Sequence, residues 1–497
     1  MNRESVLGQL RQKSPVWDVL VIGGGASGLG AAVDAASRGL KTLLLEGSDF
    51  AKATSSRSTK LIHGGFRYLK QGNLSLVRES LRERGLLLRN APDLVRPLPF
   101  VLPVYSSMDR WFYGAGLKLY DLLAGKHGMQ PSKFLSPRET LEALPTLRSD
   151  SLHGGIRYFD AQFDDARLAI SLAQTLFRMG GSAINYCRVT SLLKSAGRIA
   201  GVAARDEESG ETFELPARVV VNATGIFTDE LRQQEDPGAK RLLTFSQGSH
   251  LVLDRSFLPG ASGMMIPKTE DGRVLFAIPW HEHTLLGTTD VEVSEASLDP
   301  RPSEGEIEFL LQHAGQYLTK TPSRTDILSA FAGIRPLIAS GSGTGKTSAL
   351  SREHALVVSS AGLVSVAGGK WTTYRRMAEQ TIDRALLVGG IPSRSSNTAS
   401  LRLHSAEPAS QGSPLLHPRL RCTTAGVLNA VRTEMARTVE DLLARRTRDL
   451  FLDARACLEA APAVAKLLAH EFSKSDAWAQ EEQARFCKVA ETYLPTF

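Results

Sequence analysis

Residues 17–46 read WDVLVIGGGASGLGAAVDAASRGLKTLLLE, and their reading decides the fold. An apolar strand, Val19 to Ile22, runs into Gly23-x-Gly25-x-x-Gly28. A helix with Ala32 and Gly39 follows, and a second strand, Thr42 to Leu45, ends in Glu46. Gly23 permits a tight turn, Gly25 lets a pyrophosphate approach the backbone, and Gly28 lets helix and strand pack closely. The helix start at Gly25, Ala26 and Ser27 offers backbone N–H groups and the positive end of the helix dipole to an anion. Glu46, 18 residues after Gly28, is placed to accept hydrogen bonds from adenosine ribose hydroxyls, and a carboxylate there argues against a 2′-phosphate. A GxGxxG alone is a weak signal. Set between two strands with an acid at the end of the second, it specifies a Rossmann-like dinucleotide domain of the α/β class.

Two later stretches choose between NAD and FAD. Residues 219–229, VVVNATGIFTD, form an apolar strand ending in Ala223-Thr224-Gly225, which resembles the second flavin-contacting strand of two-domain FAD enzymes. Residues 363–377, LVSVAGGKWTTYRRM, repeat strand and Gly-Gly (Gly368, Gly369), then a helix start with Thr372 and Thr373 as capping residues. Three visits to one nucleotide fold suit an extended FAD better than NAD. No second GxGxxG is present to hold NADPH, so electrons are expected directly from an organic substrate.

The totals set bounds. At 497 residues, with 42% apolar and 22% charged residues, the chain is long enough for two or three domains and has the composition of a soluble enzyme. The formal net charge of +7 suits acidic partners, yet no basic run interleaves with aromatics, so nucleic acid is not expected. Cys187, Cys422, Cys457 and Cys487 lie far apart without metal-ligand spacing; they read as reduced thiols of a cytoplasmic-type compartment, with no metal site. No EF-hand loop is present, so no calcium regulation is expected. The first 16 residues have no apolar h-region, and no run of about 20 apolar residues exists to span a membrane. Residues 341–347, GSGTGKT, mimic a phosphate-binding P-loop, but the required first glycine falls on Ser340 and the following residues read as loop and strand, so ATP binding is disfavoured.

The chemistry-bearing segments are SSRSTKLIHGGFRYL (from Ser55), DAQFDDARL, NATG, the GSH of 248–250, IPWHEHTLLGTTDVE, GIRPL and GGKWTTYRRMAE. Together and in this order they resemble the FAD-dependent, aerobic-type glycerol-3-phosphate dehydrogenases over roughly residues 17–497. The resemblance implies an amino-acid-oxidase-like FAD domain, an antiparallel-sheet substrate domain and a helical C-terminal domain. It also implies oxidation of sn-glycerol 3-phosphate to dihydroxyacetone phosphate by hydride transfer to flavin, with quinone as acceptor. On that basis Gly23, Gly25, Ala26, Ser27, Gly28, Glu46, Thr54, Ser55, Ser56, Lys60, Leu61, His63, Ala223, Thr224, Gly225, Gly369, Lys370, Thr372 and Thr373 are expected to hold the cofactor. Arg67, Tyr68, Thr288, Arg335 and Lys370 are expected to bind substrate, since a phosphate dianion calls for preorganised cations. His250 and His63 are the two bases open for the hydroxyl proton, alongside Arg335 and Lys370 in the catalytic set. Gln247 stands where some relatives carry Lys, which leaves open a change in charge near the flavin.

The FAD domain is expected at 15–90, 150–235 and 350–395, the substrate domain at 91–149 and 236–349, a Ser/Pro-rich linker at 396–416, and a helical domain at 417–497. Residues 201–220, GVAARDEESGETFELPARVV, read as a hairpin preceding the NATG strand. Residues 110–126, RWFYGAGLKLYDLLAGK, carry aromatics and Leu with Arg and Lys; buried core and an interfacial membrane helix are both open. The family's habit implies a cytoplasmic enzyme peripheral on the inner membrane face, and a homodimer is left open. The alternatives are an oxidase passing electrons from the same substrate to oxygen, an FAD enzyme of another small anionic alcohol or amine, and a P-loop ATP-binding protein. Because Lys346 is read as part of a solvent loop, Lys346→Ala should leave turnover nearly unchanged. A loss of about tenfold, roughly 1.4 kcal/mol, would refute that.

Overall fold

The computed structural model describes residues 1–12, 16–66, 69, 72–267, 269, 274–339, 353–405 and 412–495. Arg67, Tyr68 and the GSGTGKT loop lie outside the described residues. The strand Trp17–Ile22 is buried because its neighbours cover both edges: Thr42–Leu45 pairs with it in parallel on one side and Thr212–Asn222 on the other. Val364–Gly368 joins beyond Thr212–Asn222, also in parallel, and Ser182–Ile184 beyond Thr42–Leu45. An antiparallel strand, His354–Val358, closes one edge. The segments at 17, 219 and 363 therefore meet in one sheet, with helices Ala26–Ser37, Asp165–Arg178 and Tyr374–Val388 packed together upon it. Arg198–Asp206 pairs antiparallel with the first half of Thr212–Asn222, so the second arm of the expected hairpin and the NATG strand are one continuous strand.

A second, ten-stranded sheet forms the other layer. Here the expected boundaries need correction. Gly154–Phe163 falls within the expected dinucleotide segment 150–235, but every one of its residues pairs with Val95–Val104 in the second sheet, and Leu61–Ile62 pairs with its far end. The ladder satisfies backbone groups that an excursion back to the first sheet would leave open. Leu243–Asp254 and Ile327–Ile338 run antiparallel along almost their whole length in this sheet.

Helices Thr424–Glu434, Ala454–Glu471 and Asp476–Glu491 build the C-terminal domain. Residues 427–452, whose apolar residues recur at helical spacing, are broken by left-handed Met435 and Arg448 and by a π-helical turn at Asp441–Arg446. The stretch read as a linker has no regular structure from 392 to 405, yet it is pinned to the body. Asn90 Nδ2 donates to Thr398 O at 3.1 Å and Leu403 N to Asn90 O at 2.8 Å. Helix Ser107–Ala124 divides its apolar residues between two faces. Tyr113, Leu117 and Tyr120 are buried, whereas Met108, Trp111, Phe112 and Leu122 stand in solvent, Trp111 at 75% exposure.

Ion pairs with little solvent access lock the C-terminal domain to the body. Asp49, after the second strand of the dinucleotide unit, accepts from Arg445 Nε (2.5 Å) and from both terminal nitrogens of Arg446 (2.7 and 2.9 Å). Burial works to raise its carboxyl, but Arg446 and Arg445 outweigh burial and hold it well below the usual carboxylate range. A depressed folded-state value stabilises the fold above the unfolded pKa of about 4, and that stability is lost as pH falls below it. Asp49→Ala leaves two guanidinium groups buried without their shared acid. It should cost about 3–5 kcal/mol, read as a lower urea midpoint at pH 7, and should blunt the acid sensitivity of unfolding below about pH 4.

Candidate active site

The two sheets enclose an elongated cleft of about 300 Å³. At one end lies the start of helix Ala26–Ser37. Its N-cap is Gly25, with no side chain to cap it, and Ala26 N donates to Ser55 Oγ at 2.9 Å. Gly23 has φ +109°, and a Cβ there would sit 2.5 Å from Ala223 O, while one on Gly28 would meet Gly23 O at 1.9 Å. The glycines therefore set a close approach of turn, helix and the NATG strand, leaving the helix N-terminus facing the cleft. Glu46 accepts from Gly24 N (2.6 Å) and Ser48 N (2.7 Å), one on each carboxylate oxygen. Lone pairs remain on both oxygens for a ligand's hydroxyls. Burial pushes this carboxyl up, and the two N–H donors oppose that.

The other end is built by strand alternation. Ser246, Gly248 and His250 lie opposite Arg335, Gly333 and Phe331, so all six share one face of the second sheet. The two glycines leave a hollow flanked by Arg335 and His250. A Cβ on Gly248 would fall 2.1 Å from Arg335 Nη2, and one on Gly333 2.8 Å from Arg57 O. Arg335 Nη2 donates to Thr288 Oγ1 at 2.9 Å, and both terminal nitrogens donate to Thr289 O at 3.2 Å. His250 is 1% exposed, stacks on Phe331 at 4.8 Å and bonds through Nε2 to Thr59 Oγ1 at 2.9 Å. Its Nδ1 has no hydrogen-bond partner among the described residues. Burial, then the charges of Lys60 and Arg335, hold the imidazole well below its usual pKa.

The chain matches the family model "FAD dependent oxidoreductase" over residues 18–375 and "C-terminal domain of alpha-glycerophosphate oxidase" over 394–479. It is 38% identical to the mitochondrial glycerol-3-phosphate dehydrogenase of Homo sapiens, over 97% of this chain and 74% of that protein. With the probable mitochondrial glycerol-3-phosphate dehydrogenase of Caenorhabditis elegans it shares 37% over 99% and 75%. The structure of the Bacillus halodurans glycerol-3-phosphate dehydrogenase complexed with FAD superposes with TM-score 0.80 at 28% identity, covering 99% of this chain and 98% of that one. The chain belongs to the FAD-dependent glycerol-3-phosphate dehydrogenase family. The Mycoplasma pneumoniae L-alpha-glycerophosphate oxidase (TM-score 0.60, 17% identity, 77% and 97% covered) and a Geobacillus kaustophilus glycine oxidase (TM-score 0.52, 18%, 79% and 99%) share its fold.

FAD is the cofactor of this dehydrogenase family member, and the uncapped helix start, the close-packed glycines and Glu46 make a cradle that fits a dinucleotide. Of the residues expected at the site, Gly25, Ala26, Ser27, Thr54, Ser55, Leu61, His63, Ala223, Gly225, His250, Thr288, Arg335, Gly369, Lys370 and Thr372 line this cleft. Gly23, Gly28, Glu46 and Thr224 are not among the residues that line it: Gly23 and Gly28 set the close approach of turn and helix, and Glu46 is held by the Gly24 and Ser48 amides. Three expectations change. Lys60 turns away: its ammonium is buried, bonded to Asp165 Oδ2 and Ser56 O at 2.7 Å each, and Trp280, Phe331 and Phe451 surround it at 5.1–5.2 Å. Burial lowers its pKa to about 7, against the pull of Asp165. Ser56 is buried behind the wall, its carbonyl accepting from Lys60 and Arg448. Thr373 occupies the N-cap of helix Tyr374–Val388 without a capping bond, because its hydroxyl donates to Lys370 O, while Thr372 bonds to the backbone of His63. Gln247 points to the opposite face of its strand, where it donates to Glu306 Oε2 at 2.8 Å, so it places no charge at the flavin side.

Sequence reading missed Thr59, Gly248, Gly333 and Phe276 as cleft residues. The period-two pattern of GSH and of GIRPL held the signal for the two glycines, once the strands are known to pair. Gly248→Val should displace Arg335, raising the KM for glycerol 3-phosphate at least about tenfold, the effect of losing one charge-assisted hydrogen bond. Flavin content should stay that of the wild type, because Gly248 lies at the end of the cleft remote from the cradle.

Proposed function

We propose that the protein oxidises sn-glycerol 3-phosphate to dihydroxyacetone phosphate and that the shared face of Ser246–His250 and Phe331–Arg335 is where the substrate binds. The observation that carries this reading is the pairing of a cation and a neutral buried imidazole across a glycine-floored hollow. Arg335, held in orientation by Thr288 and the Thr289 carbonyl, presents its planar fork to the phosphate. Lys370, at the start of the 3-10 turn Trp371–Thr373, adds a second positive charge to the same cleft. Each charge-assisted bond contributes on the order of 1.5–3 kcal/mol. Bound FAD supplies the two-electron acceptor for the hydride of the carbinol carbon. His250 takes the hydroxyl proton: the imidazole is kept neutral by burial and by Lys60 and Arg335, and Thr59 orients Nε2. His63 is assigned to the flavin side, where its backbone is tied to Thr372. Arg67 and Tyr68 are proposed as further substrate contacts.

Electrons then pass to a membrane quinone. Among the described residues no helix is long and apolar enough to cross a membrane. The exposed Met108, Trp111, Phe112 and Leu122 on helix Ser107–Ala124 support attachment to a membrane surface instead. The alternative acceptor is oxygen, which an oxidase would reduce to peroxide.

Anaerobic addition of glycerol 3-phosphate to the purified yellow protein should bleach the oxidised-flavin band; a flavin that stays oxidised would overturn the substrate. His250→Asn should lower kcat by about 10²–10⁴ with flavin retained. Because the base form is required and its pKa is depressed, the acidic limb of the wild-type kcat/KM profile should lie below pH 6.5, the unperturbed value. Trp111→Asp with Phe112→Asp should abolish co-sedimentation with liposomes while leaving turnover with a soluble dye intact.

A further inference from the structure

A second cleft, of about 450 Å³, opens where the helical C-terminal domain meets the end of strand Gly154–Phe163. Five arginines stand in its wall: Arg96, Arg167, Arg421, Arg446 and Arg448. Three of them are already neutralised. Arg167 makes a bidentate pair with Glu434 at 2.6 Å on each oxygen, Arg446 is spent on Asp49, and Arg448 reaches Asp165 at 2.9 Å and Asp164 at 3.2 Å. The remaining two are not. The guanidinium of Arg96 is bonded to the neutral Gln162 Oε1 at 2.9 Å, and that of Arg421 makes no ion pair among the described residues. Against them stands one exposed carboxylate, Asp93. Arg421 lies near enough to His281, another wall residue, for its charge to act there.

We propose that this cleft is a binding site for a compact multivalent oxyanion, held by the Arg96 and Arg421 forks. Arg96 stands on a strand of the second sheet and Arg421 at the start of the C-terminal domain, both in the wall of this cleft and neither in an ion pair among the described residues, and their planar forks match the bidentate geometry of phosphate or carboxylate groups. The occupant bridges the second sheet and the C-terminal domain, so it stabilises their docking by mass action. Its floor also leads inward. Trp280 lies 5.5 Å from Arg448 and 5.2 Å from Lys60, both of which bind Asp165. Asp165 accepts from Ser58 Oγ at 2.7 Å, and Ser58 lines the flavin cleft. The site is independent of the substrate assigned above.

The test uses flavin-loaded enzyme at low ionic strength, titrated calorimetrically with pyrophosphate and, separately, with citrate. An Arg335→Gln background removes the active-site fork, so that anions drawn to the substrate hollow do not obscure the result. At least one anion should bind and raise the melting temperature, and citrate against pyrophosphate tells a carboxylate site from a phosphoryl one. Adding Arg96→Gln and Arg421→Gln should weaken that binding at least about tenfold, as expected for two lost charge-assisted contacts. Arg421→Glu alone, at an exposed position that tolerates substitution, should do the same. With Arg335 intact, both sets of changes should leave turnover of glycerol 3-phosphate at the wild-type level, which separates failure of this site from failure of the substrate assignment. Absence of binding by either anion, or weakening by less than about tenfold in both variants, overturns the proposal.

Discussion

Everything in this structure hangs on how closely the chain packs where strand Trp17–Ile22 turns into helix Ala26–Ser37. The neighbouring strand Thr212–Asn222 comes so near that a methyl group on Gly23 would overlap Ala223 O, and one on Gly28 would overlap Gly23 O. Only that approach puts the helix N-terminus, the NATG strand and the Gly-Gly turn at 368–369 around one cleft. A wider turn would still allow a parallel sheet, but the positive helix end would point elsewhere and Glu46 would lose the Gly24 N–H that orients it.

The second sheet uses glycine differently. On the strands Leu243–Asp254 and Ile327–Ile338, Gly248 and Gly333 remove side chains from the middle of a face whose flanking positions carry His250 and Arg335. The sheet thus makes a hollow and its chemistry from the same alternation. Charge follows the same economy. Lys60, buried away from the cleft, supports a neutral His250 from behind, and Arg335 does so from the side. The His250 imidazole is kept neutral by burial and neighbouring cations, with no direct carboxylate partner among the described residues.

The C-terminal helical domain shares one apolar core with the second sheet, where Phe451 meets Phe331 at 4.7 Å, and buried ion pairs orient it there. Asp49 takes the guanidinium groups of Arg445 and Arg446 from the π-helical turn, and Asp164 and Asp165 take that of the left-handed Arg448 that follows it. Such pairs contribute orientation more than net stability, because desolvation offsets much of their attraction. They position the wall that the flavin cleft and the arginine-rich cleft share through Asp165.

The dinucleotide unit was legible in the sequence because its rules are local: glycines at set offsets, a 3.6-period helix and an acid at a strand end are all fixed within 30 residues. Arg335, Lys370 and His250 were legible only through the resemblance of their segments, since nothing local says which arginine or histidine faces a cleft. Tertiary structure decided the rest. Lys60 sits among residues that line the flavin cleft, yet Asp165, more than a hundred positions away, captures its ammonium. Gln247 neighbours the active histidine side but faces Glu306, because successive side chains on a strand point to opposite faces and only pairing tells which face is the cleft. The helix at 107–124 shows the same limit: its sequence contains both a core stripe and an apolar outer stripe, and only packing against the second sheet separates them. The sequence by itself determined the nucleotide fold, whose contacts are near in the chain; the side chains that do chemistry were decided by contacts between residues far apart in it, where burial and charge pairing, not local propensity, choose the partner.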